Sequence, residues 1–195
     1  MDIINNYSAD KEKIEKLLEK DSNILINNCP LGLDFPMRVL GEIANAPTLT
    51  EKKLLEKAQY YIDSGADMID IGAESTKPYA EAVTTAEQIL RLKPVLEFIQ
   101  KEKLEIPISI DTRSSEVADF ALNNGAKIIN DVSGFDYDSK MPEIVAKYQA
   151  GIIIQHSTKK TEDKPCYNNI IEEIGFKLNE KINLAESFGI KNIIK

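Results

Sequence analysis

The sequence predicts an α/β fold of the TIM (β/α)8-barrel type, incomplete, with about five βα units and the start of a sixth strand. Three observations carry that prediction. From residue 37 onward, short apolar runs alternate with longer stretches of helical period. The apolar runs are nearly continuous, as in parallel strands covered on both faces. Almost every run also ends in a polar group: Asn45, Asp70 with Glu74 beyond it, Asp111, Asn130 with Asp131, and His156. Barrels of this type carry their active sites at that edge. A doubly wound sheet satisfies the first two observations. The third favours the barrel, and neither GxGxxG nor a P-loop pattern is present.

The elements follow in order. Met37 to Ala44 reads as the first strand, and Thr50 to Ser64 as a helix with Leu54, Leu55, Ala58, Tyr61 and Ile62 on one face. Thr48 and Glu51 have capping-box spacing, and Gly65 ends the helix. Asp67 to Gly72 is the next strand. Thr84 to Lys101 is a helix with Ile89, Leu92, Leu96 and Ile99 as its stripe and a kink expected at Pro94. Ile106 to Asp111 is a strand, and Ser115 to Asn123 a short helix facing inward through Val117, Phe120 and Ala121. Lys127 to Val132 (strand), Ser139 to Tyr148 (helix) and Gly151 to His156 (strand) continue the alternation. Asn169 to Phe188 is a helix with Ile170, Ile171, Ile174, Leu178, Ile182 and Ala185 on its buried side, and Asn192 to Lys195 begins another strand.

Residues 1–36 break the pattern and read as an N-terminal appendage, with residues 37–195 as the partial barrel domain. In the appendage, Ser8 to Lys20 has an amphipathic stripe of Ile14, Leu17 and Leu18, Asn23 to Asn27 suits a short strand, and CPLGLDFP reads as a loop. A complete barrel needs eight strands and about 250 residues, so a truncated sequence is the expectation.

Composition narrows the function. A net charge of −8 argues against a nucleic-acid surface, which needs clustered Lys and Arg. Cys29 and Cys166 lie far apart with no CxxC, which speaks against a zinc or redox motif and suits a reducing cytoplasm. The N-terminus lacks the basic and apolar regions of a secretory signal, and no apolar run approaches the roughly 20 residues of a membrane span. A cytoplasmic protein with no membrane or nucleic-acid partner is therefore expected.

The segments ADMIDIGAESTKP, ISIDTRSSEVADFALNNGAKIINDVSG and GIIIQHS, in this order and spacing, resemble dihydropteroate synthase and the wider pterin-binding family, from about Gly65 to His156 and weakly onward to Lys195. The resemblance implies that Asp111 and Asn130 bind the pterin. The chemistry is suitable: a carboxylate accepts two N–H groups of a guanidine-like ring edge, and an amide both donates and accepts. Without the resemblance, Asp111 reads equally well as the cap of the next helix, and Asn130 as a partner for loop backbone. The resemblance further implies that Thr76 and Lys77 lie at the diphosphate and aminobenzoate, with Lys where the family has Arg. Lys keeps the charge and loses the planar fork.

Asn45 matches, with altered spacing and no following long loop, the family's Asn at Mg2+ and diphosphate, so a magnesium cofactor is implied. An ordinary turn residue before Pro47 is an equal reading of it. His156 and Asp131 read as pocket wall or rim, and no catalytic residue is assigned. The function implied is condensation of 6-hydroxymethyl-7,8-dihydropterin diphosphate with 4-aminobenzoate to dihydropteroate, in a transferase of folate biosynthesis that forms a homodimer. The alternatives are a pterin-dependent methyltransferase of the methyltetrahydrofolate type, which the short first loop favours, and a non-catalytic partial-barrel module.

Overall fold

A computed structural model describes residue 16 and residues 23–26, 29–32, 40–43, 48–74, 83–156 and 169–194. Two short strands, β1 (Asn23–Ile26) and β2 (Cys29–Gly32), pair antiparallel, with Ile26 opposite Cys29. The loop read at CPLGLDFP is thus corrected over its first four residues: Pro30 and Gly32 hide a strand that pairing with β1 supports. The helix expected from Ser8 to Lys20 lies outside the described residues except for Lys16, which is helical.

The remaining elements alternate. They are β3 (Leu40–Ile43), α1 (Glu51–Asp63), β4 (Met68–Gly72), α2 (Thr85–Glu102), β5 (Ile108–Asp111), α3 (Ser115–Asn123), β6 (Ile128–Asp131), α4 (Met141–Lys147), β7 (Gly151–Ile154), α5 (Ile170–Ser187) and β8 (Ile193–Ile194). Strands β3 to β8 form one sheet in sequential order with every pair parallel. Six parallel strands in chain order, joined through helices, are a partial α/β barrel, as the sequence predicted.

Local chemistry sets the boundaries. Thr50 caps α1 by accepting from Lys53 N at 3.4 Å, so the capping box read at Thr48 and Glu51 is corrected: the hydroxyl immediately before the first turn does the capping. Thr84, Ser114 and Asn169 cap α2, α3 and α5 in the same way. Helix α2 runs unbroken through Pro94, which faces solvent, so water can serve the carbonyl that loses its N–H partner.

Register partners share a face of the sheet. The outer face carries Ile43, Ile69, Ile71, Ile108, Ile110, Ile129 and Ile152, all buried in one core with Leu54, Leu92, Leu96, Val117 and Val145 of the helices. Burying each such side chain stabilises the fold by about 1.5–3 kcal/mol. Helix α1 lies close against β3 because residue 41 is glycine. A Cβ there would stand 2.7 Å from the Tyr61 ring, whose hydroxyl donates to the Glu42 carbonyl at 2.9 Å.

The inner face differs. Met68 and Ile128 start it with a small apolar cluster joined by Ile153 and Ile194. Toward the strands' C-terminal ends it turns polar, with Glu42, Asp70, Ser109, Asp111 and Asn130. Helix α5 departs from expectation. Ile182 and Ala185 are buried as predicted, but Ile170 and Ile171 are 52% and 81% exposed. The apolar period marks the face of a helix, and here no described element covers its first turn.

Candidate functional site

The polar end of the inner face gathers side chains from four neighbouring strands. Asp111 closes β5, with Gly72 of β4 as its register partner on one side and Asn130 of β6 on the other. The two residues singled out in the sequence therefore stand side by side on one face. The glycine matters too: a Cβ at residue 72 would already touch Asp111, at 3.8 Å from its Cβ, so any larger side chain would fill the space beside the carboxylate. Asp111 does not cap α3, because Ser114 does, with Thr112 Oγ1 accepting from Ser114 N. That removes the capping alternative for Asp111.

Asn130 reaches across β5. Its Nδ2 donates to Asp70 Oδ2 at 3.2 Å, and its Oδ1 accepts from Gln155 Nε2 at 3.0 Å. Loop backbone, the other reading of Asn130, is not what its side chain serves here. Three buried oxygens of this cluster, Asp70 Oδ1, Ser109 Oγ and Asp111 Oδ1, have no hydrogen-bond partner among the described residues. Buried polar atoms without partners are rare in native proteins, and two carboxylate oxygens and a hydroxyl on one inner surface mark a place where a hydrogen-bonding ligand fits.

Electrostatics agree. Burial, followed by the charges of Asp70 and Glu42, pushes Asp111 up to about 7, while Arg113 opposes the rise and Asp131 adds to it. Burial also raises Asp70, against the nearby Ser109 hydroxyl and then the N–H of Asn130. A guanidine-like edge donating to these carboxylates would relieve both, since hydrogen bonds to the charged form favour it.

Glu74, two residues beyond β4, accepts from Val83 N, Gln88 Nε2 and Arg113 Nη2, each at 3.2 to 3.3 Å. Arg113 also lies over the Tyr137 ring at 4.5 Å. Glu74 thereby ties α2 and the start of α3 to the end of β4. Thr76 and Lys77, and Asn45, lie outside the described residues.

Asp131, expected at the rim or pocket wall, faces away from the inner surface, and register pairs it with Ile154. It accepts from Ser133 N, Ser133 Oγ and Phe135 N at 2.9, 2.6 and 2.8 Å. It builds the turn after β6 rather than the pocket wall. That turn includes Gly134 at φ +56°, where a Cβ would meet the Gln155 carbonyl at 2.9 Å. His156 is half-buried, two residues past β7.

Sequence reasoning missed Glu42, Ser109 and Gln155, and read Asp70 only as one of the polar groups closing the apolar runs. The signal was available: counting back by twos from Asp111 gives Ser109, and counting on from Ile153 gives Gln155.

Comparison with known proteins comes to the same place. Residues 44–194 match the model of a family described as pterin binding enzyme. A dihydropteroate synthase of Clostridium beijerinckii is 43% identical over 131 residues, covering 67% of this chain and 47% of that protein. A dihydropteroate synthase of Bacillus subtilis is 41% identical over 144 residues, covering 73% and 49%. The chain spans about half the length of these curated relatives. Among solved structures, the Burkholderia cenocepacia dihydropteroate synthase complexed with 7,8-dihydropteroate superposes with a TM-score of 0.76 at 26% identity, covering 88% of this chain and 61% of that one. The Xanthomonas albilineans dihydropteroate synthase with 4-aminobenzoic acid gives 0.72 at 29% identity, covering 88% and 64%.

Proposed function

The chain belongs to the pterin-binding enzyme family, and on that premise we propose that it acts as a dihydropteroate synthase. The reaction condenses 6-hydroxymethyl-7,8-dihydropterin diphosphate with 4-aminobenzoate. The observation that carries the reading is the pairing of Asp111 and Asn130 on the inner face, with Asp111 Oδ1 buried and without a partner among the described residues. In this reading the Asp111 carboxylate accepts two N–H groups of the pterin edge, and Asn130 donates to one ring atom while accepting from another. Ionised Asp111 is the form that binds, so the bound ring pulls its pKa down from about 7.

Chemistry then occurs beyond the ring's far end. The aminobenzoate nitrogen bonds to the pterin methylene carbon, the carbon–oxygen bond to diphosphate breaks, and the new amine loses a proton. No enzyme nucleophile is needed, and the protein's contribution is orientation and stabilisation of the departing negative charge. Thr76 and Lys77 are proposed for that anion. Magnesium was implied through Asn45. Among the described residues no group of three or more His, Cys, Asp or Glu is placed to hold a metal, and no step here passes through one.

The synthase relatives support this reading over a methyltransferase. A cytoplasmic homodimer belongs to the same proposal. Among the described residues, no helix is long and apolar enough to cross a membrane. The exposed Phe176 and Leu184 of α5 offer apolar surface for a second copy to cover, which sedimentation of the purified protein tests.

The activity test is direct. Purified protein is mixed with the dihydropterin diphosphate and 4-aminobenzoate, and both dihydropteroate and released diphosphate are measured. Equal yields of the two support the synthase. Pterin binding with no product from either substrate overturns it.

A further inference from the structure

We propose that Asp70 and Gln155 are positioning residues that lock the Asn130 amide in one orientation and so set the order of donor and acceptor that a ring edge must present to this site. The proposal rests on the pterin reading above. An Asn side chain has two N–H donors and two carbonyl lone-pair positions. At Asn130 one N–H goes to Asp70 Oδ2 and one lone pair takes Gln155 Nε2, at 3.2 and 3.0 Å. One donor and one acceptor remain for a ligand, in a fixed order.

Turning the amide over would set its carbonyl oxygen against the Asp70 carboxylate and its NH2 against the NH2 of Gln155. Two hydrogen bonds would become two like-to-like contacts. Asn130 and Asp70 are 9% and 5% exposed, so little water reaches them to compensate. The two partners act unequally. Gln155 is exposed, and its own amide can rotate. An ionised Asp70 offers only acceptors, so it anchors the polarity of the whole chain from Gln155 through Asn130. The three residues come from β4, β6 and the end of β7, and Asp111 stands on the strand between the first two. The ring edge therefore meets Asp111 and the remaining Asn130 groups as one patterned surface, and discrimination arises from groups left unpaired by the wrong pattern.

The test compares 6-hydroxymethylpterin, a 2-amino-4-oxo ring, with its 4-amino-2-oxo isomer, in which neighbouring donor and acceptor are exchanged. Dissociation constants for both are measured with wild-type protein, Gln155→Met, Asp70→Asn, and the double variant Asp70→Asn with Gln155→Glu, beside melting curves. The wild type is expected to favour the 2-amino-4-oxo ring. Asp70→Asn should narrow that preference by about tenfold, the worth of one hydrogen bond, and Gln155→Met, at an exposed position, should narrow it by less. The double variant exchanges donor and acceptor at both ends of Asn130 and should reverse the preference. If the ratio of the two constants stays at the wild-type value in all variants, whatever happens to the melting temperature, the proposal is overturned and the pterin reading stands. If the wild type binds neither ring, the pterin reading itself fails.

Discussion

The two faces of the six-stranded sheet come from the same strands and have opposite characters. On the outer face Ile69, Ile71, Ile108, Ile110, Ile129 and Ile152 meet the helices in a continuous apolar core. On the inner face the apolar side chains Met68 and Ile128 give way, within two residues along the strand, to Asp70 and Asn130. Outer isoleucines pack into an apolar core, whereas inner polar atoms include three buried oxygens with no partner among the described residues. One residue of register separates the two roles, because neighbouring side chains on a strand point to opposite sides. The outer face holds the fold together, and the inner face keeps unmet hydrogen-bonding capacity for a ligand.

The largest test of that contrast is Ile110→Ala. Ile110 is fully buried on the outer face. Its truncation should lower stability by about 2–5 kcal/mol, seen as a clear fall in the melting temperature. Pterin affinity of the remaining folded protein should be unchanged. Lost affinity without lost stability would break the division between the faces.

Asp111→Asn should do the reverse. It removes a charge-assisted acceptor contributing about 1.5–3 kcal/mol per bond, so titration should show pterin affinity weakened by one to several factors of ten. Stability should rise at pH 8. The folded protein holds Asp111 near 7 against an ordinary 3.8, so folding retains a proton that the unfolded chain releases. Stability from this group is fully present below about pH 4 and is lost as pH rises through about 7. The Asn variant lacks that loss, and melting curves should show its advantage growing between about pH 4 and pH 8.

Gly134→Ala sharpens the comparison at the turn that joins the faces. The residue sits at φ +56° with the Gln155 carbonyl in the way of a Cβ. The expected cost is about 1–3 kcal/mol in a denaturant titration, with weakened pterin binding because Gln155 must shift. Unaltered binding would detach Gln155 from the site.

The smallest expected effect is the pH dependence of binding. Only ionised Asp111 accepts two donors, so pterin affinity should rise about tenfold from pH 6 to above 7 and then level off. The Asp111→Asn variant should give a flat profile over the same range.

Much of this was legible beforehand. Alternation of apolar runs with helical stretches fixed the order of β3 to β8, because a strand covered on both faces must be apolar almost throughout. Helix α3 matched its predicted span from Ser115 to Asn123, since Ser114 and Gly125 mark its ends chemically. Asp111 and Asn130 stood out as polar groups closing apolar strands, and the family resemblance was what linked them to a pterin. Other features were not. Ile170 and Ile171 fit the apolar stripe of α5 yet lie exposed, because a stripe records a direction and says nothing of whether a neighbour arrives there. Asp131, adjacent to Asn130, was read into the pocket and faces the opposite side.

The sequence by itself determined the strand and helix pattern and the parallel class of the sheet, since each follows from local periodicity, caps and residue type, while the reading of Asp111 and Asn130 as pterin partners came from the family resemblance. Tertiary structure alone decided the partnerships: that Asn130 spans from Asp70 to Gln155 and that Gly72 leaves room beside Asp111. Those contacts join residues up to 60 positions apart. Register and packing between strands set them, and no local propensity encodes a distance between segments that meet only when the sheet is assembled.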